Sequence, residues 1–279
     1  MPITERGHGR MTPDGQKTLS VCMIVKNEEA VLGRCLRDAA FFADEIVVVD
    51  TGSADGTRKI ARGFTDKVFD FVWREDFAAA RNASFEKASC DYVMWLDADD
   101  RIDEENGSKI RSLKRSLCQK LVMAGYERPE NGGIFLYPRI VRRDAGLVWK
   151  GAVHERLAPR DGENGPVEAD IFTADFVIRH EKAGAPDYGR NIRIMERLCR
   201  QEFRQSFWFC AQCFLDCVLA DEEEKAGRYL ALAKDSETPF EDRLEVYALI
   251  NRVLKYHKKY DAMIKWNAMY LKDRKEGKP

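Results

Sequence analysis

Three carboxylates follow an apolar run in the sequence: residues 92–100 are YVMWLDADD. The β-branched and aromatic residues predict a buried strand, which would deliver Asp97, Asp99 and Asp100 to one edge of a sheet. Hard divalent cations such as Mg²⁺ and Mn²⁺ prefer carboxylate oxygens and often bind one or two of them together with the oxygens of a substrate diphosphate. The stretch therefore predicts a metal site. The alternative is a solvated acidic turn after a strand.

Polar residues also follow two earlier apolar runs. Leu19–Val25 predicts a strand that stops at Lys26-Asn27-Glu28, and a second predicted strand over Glu45–Asp50 ends in an acid. A loop with two glycines and Ser53 follows Asp50, and its polar residues are able to cap the next helix. Candidate ligand-binding side chains thus recur wherever a predicted strand ends.

The elements between these residues alternate in type. Helices are predicted over Ala30–Ala40, over Arg58–Phe64 and from Phe77 through Ala88, and a third strand over Val68–Val72. Strands and helices that alternate at short spacing predict a mostly parallel α/β sheet with right-handed crossovers. Because ligands of such sheets bind beyond the carboxyl ends of the strands, Asn27, Asp50 and Asp97 are expected to converge.

Composition bounds the class of protein. The 279 residues have a formal net charge of -1, which gives no support to a polyanion-binding protein. No apolar run approaches the ~18 residues of a transmembrane helix, and residues 1–17 lack the apolar core of a signal peptide, so we expect a disordered leader and a cytoplasmic protein.

The eight cysteines fit buried, reduced thiols better than a disulfide framework. Cys210, Cys213 and Cys217 have helical spacing on one side of an apolar helix. They lack a second cysteine or histidine pair, so we expect core packing there and not a metal site.

Two common phosphate-binding loops are missing. The sequence has no Gly-x-x-x-x-Gly-Lys-Ser/Thr loop and no Gly-x-Gly-x-x-Gly after the first strand, which disfavours P-loop and dinucleotide-binding proteins. Residues 25–28 (VKNE), 49–57 (VDTGSADGT), 80–82 (ARN) and 96–100 (LDADD) stand in their place. Their order and spacing resemble the family 2 glycosyltransferases of the GT-A fold, and the resemblance is dense from Leu19 to about Ile102.

The resemblance implies roles for these residues. Asp50 would contact the nucleotide base of a sugar donor, with Asn27, Glu28 and Ser53 nearby. Arg81 would lie beside the nucleotide, where a cation could offset the diphosphate charge. The donor implied is a nucleotide diphosphate sugar, with a UDP-sugar expected.

The Asp-x-Asp element, Asp97 and Asp99, would hold Mn²⁺ or Mg²⁺. Asp99 would bind the metal directly, and Asp97 would contact the ribose or metal-bound water. The metal would neutralise the departing nucleoside diphosphate.

A further element, with Trp149, His154 and Glu155, resembles a subgroup with C-terminal tetratricopeptide-like helices. Glu155 is the predicted general base of an inverting transfer, the alternative being an ion pair with Arg156 or Arg160. His180 follows a predicted strand over Ile171–Ile178, where GT-A enzymes often supply a third metal ligand; a structural histidine is the alternative. The subgroup pattern His-x-Gly-Tyr is replaced here by His180-Glu181-Lys182-Ala183.

The period becomes helical from Tyr188. Arginines at positions 190, 193, 197, 200 and 204 form a basic stripe. This stripe could bind phosphates of the donor or of a lipid-linked or nucleic-acid acceptor, although a solvated face paired with glutamates is favoured. Ala226-x-x-x-Leu230-x-x-Ala233 recurs loosely as Ala262-x-x-x-Trp266-x-x-Met269, near the ~34-residue period of tetratricopeptide repeats.

The sequence therefore predicts a leader (1–17), a GT-A catalytic domain (18–185) and a helical extension (186–279) that could form a homodimer. The predicted function is metal-dependent inverting glycosyl transfer to an acceptor that could be a peptide, a lipid-linked saccharide or a modified DNA base. Two alternatives stay open: a helical-repeat binding protein with a degenerate catalytic domain, and a nucleotidyltransferase. The latter normally has a glycine-rich loop after the first strand.

Overall fold

A computed structural model describes residues 15–128, 133–160, 170–181, 187–199, 207–236 and 238–276. The chain divides into two compact units. The first contains Met1–Glu127, Ile134–Gly151 and Glu155–Gly184, and the second contains Arg128–Gly133, Ala152–His154 and Ala185–Pro279. Residues 1–14 of the predicted leader, Lys182 and Ala183 lie outside the described residues.

The first unit is built on an eight-stranded sheet. Its strands are β1 (Leu19–Val25), β2 (Glu45–Asp50), β3 (Val68–Asp70), β4 (Tyr92–Leu96), β5 (Asp100–Arg101), β6 (Leu121–Arg128), β7 (Gly133–Arg142) and β10 (Ile171–His180). The order is β3-β2-β1-β4-β7-β6-β10-β5. Pairing is parallel between β1, β2, β3 and β4 and between β6 and β10, whereas β7 and β5 run antiparallel to β4 and β10. The predicted mostly parallel α/β fold is confirmed.

Among its described residues, this unit also contains four helices and a small hairpin. The helices are α1 (Leu32–Ala40), α2 (Thr57–Arg62), α3 (Phe77–Glu86) and α4 (Glu104–Leu113), and the hairpin joins β8 (Leu147–Lys150) to β9 (Arg156–Pro159). Helix α3 begins where Asp76 accepts a hydrogen bond from the Ala79 amide at 2.8 Å, an ordinary side-chain N-cap. This start places Arg81 and Asn82 in the second turn of the helix.

The register of the central strands decides where the site lies. Val25 of β1 pairs with Asp50 of β2, and Met23 of β1 pairs with Leu96 of β4. These strands are almost fully buried, as continuous apolar runs in a parallel sheet require. Their carboxyl ends therefore share one edge, and the residues that follow them meet there.

Two strand predictions needed adjustment. The predicted third strand was too long, because β3 ends at Asp70. Strand β10 continues two residues beyond the predicted Ile178, so that His180 is its last residue.

The second unit is helical. Its helices are α5 (Tyr188–Cys199), α6 (Phe207–Leu219), α7 (Glu223–Lys234), α8 (Phe240–Tyr256) and α9 (Tyr260–Glu276). Phe207, Phe214 and Tyr247 pack their rings around the buried Trp266. Cys210, Cys213 and Cys217 are buried in this unit, which confirms their expected core packing.

The basic stripe is only partly described. Arg193 and Arg197 are exposed on α5, while Arg200 and Arg204 lie outside the described residues. Glu196, expected to pair with the stripe, contacts Lys225 of α7 at 3.1 Å. Within the described ranges, no helix has both the length and the apolar character needed to cross a membrane.

Candidate active site

The loops after β1 and β2 are bonded to each other. The Asn27 amide donates to Ser53 Oγ at 2.9 Å, and Asn27 Oδ1 accepts from the Ala54 amide at 2.8 Å. The Glu28 amide donates to Thr57 Oγ1 at 2.7 Å. Asn27 has a φ of 55°, a left-handed conformation that asparagine tolerates better than most residues. Three predicted donor-binding residues thus belong to one pair of interlocked loops.

Asp50 lies beneath these loops and is 1% exposed. Its Oδ2 accepts hydrogen bonds from the amides of Gly52 at 3.1 Å and Ser53 at 3.0 Å. Its Oδ1 is buried and has no hydrogen-bond partner among the described residues. An unsatisfied buried acceptor is costly, so a ligand that brings an N–H group to this oxygen would fit the site.

The acidic segment after β4 folds back on itself. The Asp97 amide donates to Asp100 Oδ2 at 3.0 Å, which turns the chain directly after the strand. His180 Nδ1 lies 3.3 Å from Asp99 Oδ1 and 3.2 Å from Asp100 Oδ1. Potential ligand atoms of Asp97, Asp100 and His180 all lie within 4.8 Å of one another. The structure therefore brings Asp97 and His180 together and adds Asp100 to them, whereas Asp99 approaches this group through its contact with His180.

Asp100 differs from its neighbours because the protein itself occupies its oxygens. It is fully buried, accepts a hydrogen bond from Tyr126 Oη at 2.7 Å and lies 3.4 Å from Arg139 Nη1. Asp100 Oδ1 also lies 3.2 Å from His180 Nδ1. Such an acid–histidine contact orients metal-binding histidines.

Tyr126 and Arg139 were not predicted from the sequence. Arg139 could have indicated a buried acid, because a cation inside the apolar run of β7 needs a buried partner. The Arg139 guanidinium also lies 3.6 Å from the centre of the Trp95 ring and 3.9 Å from that of Tyr126.

The edge carries negative charge that the fold compensates only in part. Burial and the neighbouring Asp97 and Asp100 raise the pKa of Asp99 to about 6, although His180 opposes the shift. Burial, Asp99, Asp97 and Asp55 raise the pKa of Glu28 to about 7. A divalent cation would relieve this repulsion, and a set of carboxylates with one imidazole suits Mn²⁺ or Mg²⁺.

Arg81 lies at the centre of a second group. Its Nε donates to Glu155 Oε1 at 2.7 Å and its Nη2 to Asp97 Oδ1 at 2.9 Å. The guanidinium lies 4.5 Å from the Trp95 ring centre and 5.2 Å from that of Trp149. Burial opposes ionisation of Asp97, but Arg81, Arg139 and His180 lower its pKa. Glu155 thus pairs with Arg81, a partner that the sequence did not indicate.

Comparisons with known proteins agree with this arrangement. The model of the family described as Glycosyl transferase family 2 matches residues 20–131. A TPR repeat-containing protein of Synechococcus elongatus is 40% identical over 216 residues, covering 75% of this chain and 49% of that protein. The glycosyltransferase SunS of Bacillus subtilis is 27% identical over 241 residues, covering 81% of this chain and 55% of SunS. The chain spans about half the length of these two relatives.

A solved structure shows the same fold. S. aureus TarS, as a fragment of residues 1–349 in complex with UDP, matches with a TM-score of 0.51 at 15% identity, covering 93% of this chain and 92% of that fragment. At this identity the likeness concerns the fold alone.

Proposed function

Because the chain belongs to the family 2 glycosyltransferases, we propose that it is a metal-dependent inverting transferase. It moves a sugar from a nucleotide diphosphate sugar, a UDP-sugar, to a nucleophilic acceptor. One observation carries the proposal: an unsatisfied buried carboxylate oxygen of Asp50 lies at the same sheet edge as Asp97 and as the Asp99 carboxylate, whose pKa is raised.

The donor would be held at two points. Asp50 Oδ1 would accept an N–H of the nucleotide base, and the loops that contain Asn27, Glu28 and Ser53 would enclose the nucleoside. Asp97, Asp99 and His180 would hold Mn²⁺ or Mg²⁺ next to the diphosphate. The metal would neutralise charge on the leaving nucleoside diphosphate.

Glu155 would serve as general base. In an inverting transfer, the acceptor atom attacks the anomeric carbon from the side opposite the leaving group and loses a proton to a carboxylate. Glu155 and Asp97 both accept hydrogen bonds from Arg81, so the proposed base lies on the same side of the site as Asp97. We propose a peptide, a lipid-linked saccharide or a modified DNA base as the acceptor, and homodimer formation through the helices of the second unit.

Thermal-shift measurements with UDP, GDP and a panel of their sugars, with and without Mn²⁺, test the donor site. A ligand at 100 times its Kd stabilises the native state by about 2.7 kcal/mol, which such a measurement detects easily. We expect stabilisation by a UDP-sugar only when Mn²⁺ is present, and loss of that effect in Asp50→Leu.

Asp70→Asn is the matched control, since Asp70 ends β3 at the same edge but is exposed and paired with Arg58. Absence of stabilisation by every nucleotide sugar would overturn the proposal and direct attention to the helical unit. Release of inorganic diphosphate in place of a nucleoside diphosphate would identify a nucleotidyltransferase.

A further inference from the structure

We infer that Arg81 is a positioning residue that holds Asp97 and Glu155 at a fixed separation; this inference rests on the proposed function. Asp97 follows β4 and Glu155 directly precedes β9, so the two carboxylates come from distant parts of the chain. Arg81 donates to one with Nη2 at 2.9 Å and to the other with Nε at 2.7 Å. A single guanidinium thus sets the distance between a proposed metal ligand and the proposed base.

This role differs from the one that the family resemblance implied, in which Arg81 lies beside the nucleotide. Arg81 is 8% exposed, and two of its side-chain nitrogens already donate to carboxylates. Two negative partners offset its single positive charge, so little of that charge remains to attract a diphosphate. The contacts of Arg81 suit it to orienting protein groups.

Aromatic rings fix the guanidinium itself. Trp95 and Trp149 meet at 90° with ring centres 5.4 Å apart, and Arg81 lies against both. The neighbouring residue Asn82 donates to the Trp149 carbonyl and accepts from the Trp149 amide, both at 2.9 Å. Two consecutive residues of α3 therefore bond to three segments of the unit: the end of β4, strand β8 and the start of β9.

Lysine cannot replace arginine here. A lysine would keep the positive charge, but its ammonium is a point charge and cannot reproduce the planar fork that reaches both carboxylates between two rings. Small displacements of reacting groups cost large factors in rate, about 10²-fold for 1 Å. The donor base would still be held by the Asp50 loops, so kcat is expected to change more than donor KM.

The test compares Arg81→Lys and Arg81→Ala with Arg58→Lys. Arg58 is the matched control because it also pairs closely with a carboxylate, that of Asp70, but on the exposed surface. Donor hydrolysis, in which water replaces the acceptor, gives kcat and KM without knowledge of the acceptor. Carbodiimide labelling read by mass spectrometry reports the accessibility of Glu155 and Asp97 independently of activity.

We expect both Arg81 variants to lose about 10²-fold in kcat with little change in donor KM. Labelling of Glu155 and Asp97 should rise while that of Glu45 stays constant, and Arg58→Lys should match the parent in every readout. Methylguanidinium should restore part of the kcat of Arg81→Ala, whereas methylammonium should not. A merely structural role would not produce this selectivity.

Unchanged labelling of Glu155 in both variants overturns the inference, and so does raised labelling with a parental kcat. Partial unfolding of Arg81→Ala would appear as raised labelling of Glu45 as well, and in that case Arg81→Lys decides. A parent protein that hydrolyses no nucleotide sugar would overturn the proposed function. The labelling result alone would still show whether Arg81 holds the two carboxylates.

Discussion

Acidic residues at the two edges of the central sheet differ in their hydrogen-bond partners. At the amino edge, Asp91 Oδ2 accepts from the Thr18 amide and from Thr18 Oγ1, both at 3.0 Å. Asp44 accepts from the Leu19 amide at 2.8 Å and from Lys114 at 2.7 Å. These acids precede β4 and β2, where they bond the start of one strand to the start of its neighbour.

At the carboxyl edge, Arg81 pairs with Asp97, but three other acids are less well satisfied. One oxygen of Asp50 is buried without a partner among the described residues, and the pKa values of Asp99 and Glu28 are raised. Unfavourable ionisation of this kind clusters at functional sites, where stability is given up for binding or catalysis. The acids of the amino edge thus hold the sheet together, whereas Asp50, Asp99 and Glu28 at the carboxyl edge are suited to binding a ligand.

Asp99→Asn, at the carboxyl edge, should have the largest effect on activity. Loss of this proposed metal-binding carboxylate is expected to lower donor hydrolysis by at least about 10²-fold, with the fold intact. Kinetics with Mn²⁺ and far-UV circular dichroism measure the two properties. Asp70→Asn serves as the control, and an Asp99→Asn protein with parental turnover would contradict the assignment of this edge.

Asp91→Ala, in contrast, should lower stability and leave donor binding unchanged. It leaves the Thr18 amide and hydroxyl without their acceptor, so the free energy of unfolding should fall by about 2 kcal/mol. Donor affinity of the folded protein should not change, because Asp91 is at the far end of β4 from Asp97. Urea unfolding and calorimetric titration with UDP and Mn²⁺ check both statements. Asp91→Asn, which keeps an acceptor oxygen, should lose less stability; equal losses would show that the hydrogen bonds are not the cause.

Glu45 should make the stability of the protein depend on pH. Although burial opposes its ionisation, hydrogen bonds from Lys67, Ser20 and Ser89 lower its pKa to about 2, below the ordinary value of 4.5. The stabilisation by this carboxylate is therefore complete above pH 4.5 and is lost as the pH falls from there toward 2. Glu45→Gln should cost about 1.5 kcal/mol at neutral pH and much less near pH 3. Urea unfolding at both pH values measures the difference, and an equal cost at both would exclude an ionic origin.

The sequence predicted the sheet and its functional edge because those signals are local. Continuous apolar runs located β1, β2 and β4 within a residue or two, and parallel pairing then required Asp50 and Asp97 to share an edge. The side-chain partners were not predictable in this way. Arg81 and Glu155 are separated by 74 residues, and Tyr126 and Asp100 by 26.

Such pairings depend on how strands and helices pack, which hydrophobic periodicity does not encode. The motif predicted Arg81 as a nucleotide contact without identifying the two carboxylates that it bonds to. The same limit applies to Arg139, whose charge indicated a buried partner without naming Asp100.

Glu28→Gln should have the smallest effect on the free energy of unfolding. It should raise this free energy, whereas Glu45→Gln should lower it. The pKa of Glu28 is raised from 4.5 to about 7, so the folded protein holds this proton more tightly than the unfolded chain does. Stability is therefore lost as the pH rises from 4.5 through 7, and removal of the charge should restore it. Because the side chain is partly solvated, we expect a gain of only about 1 kcal/mol near pH 8 and none near pH 4. Thermal unfolding at both pH values tests this, with the exposed Glu86→Gln as the control. A gain of equal size at both pH values would mean that repulsion among the acids of this edge is not its cause. Glu28 would then not belong in one group with Asp50 and Asp99.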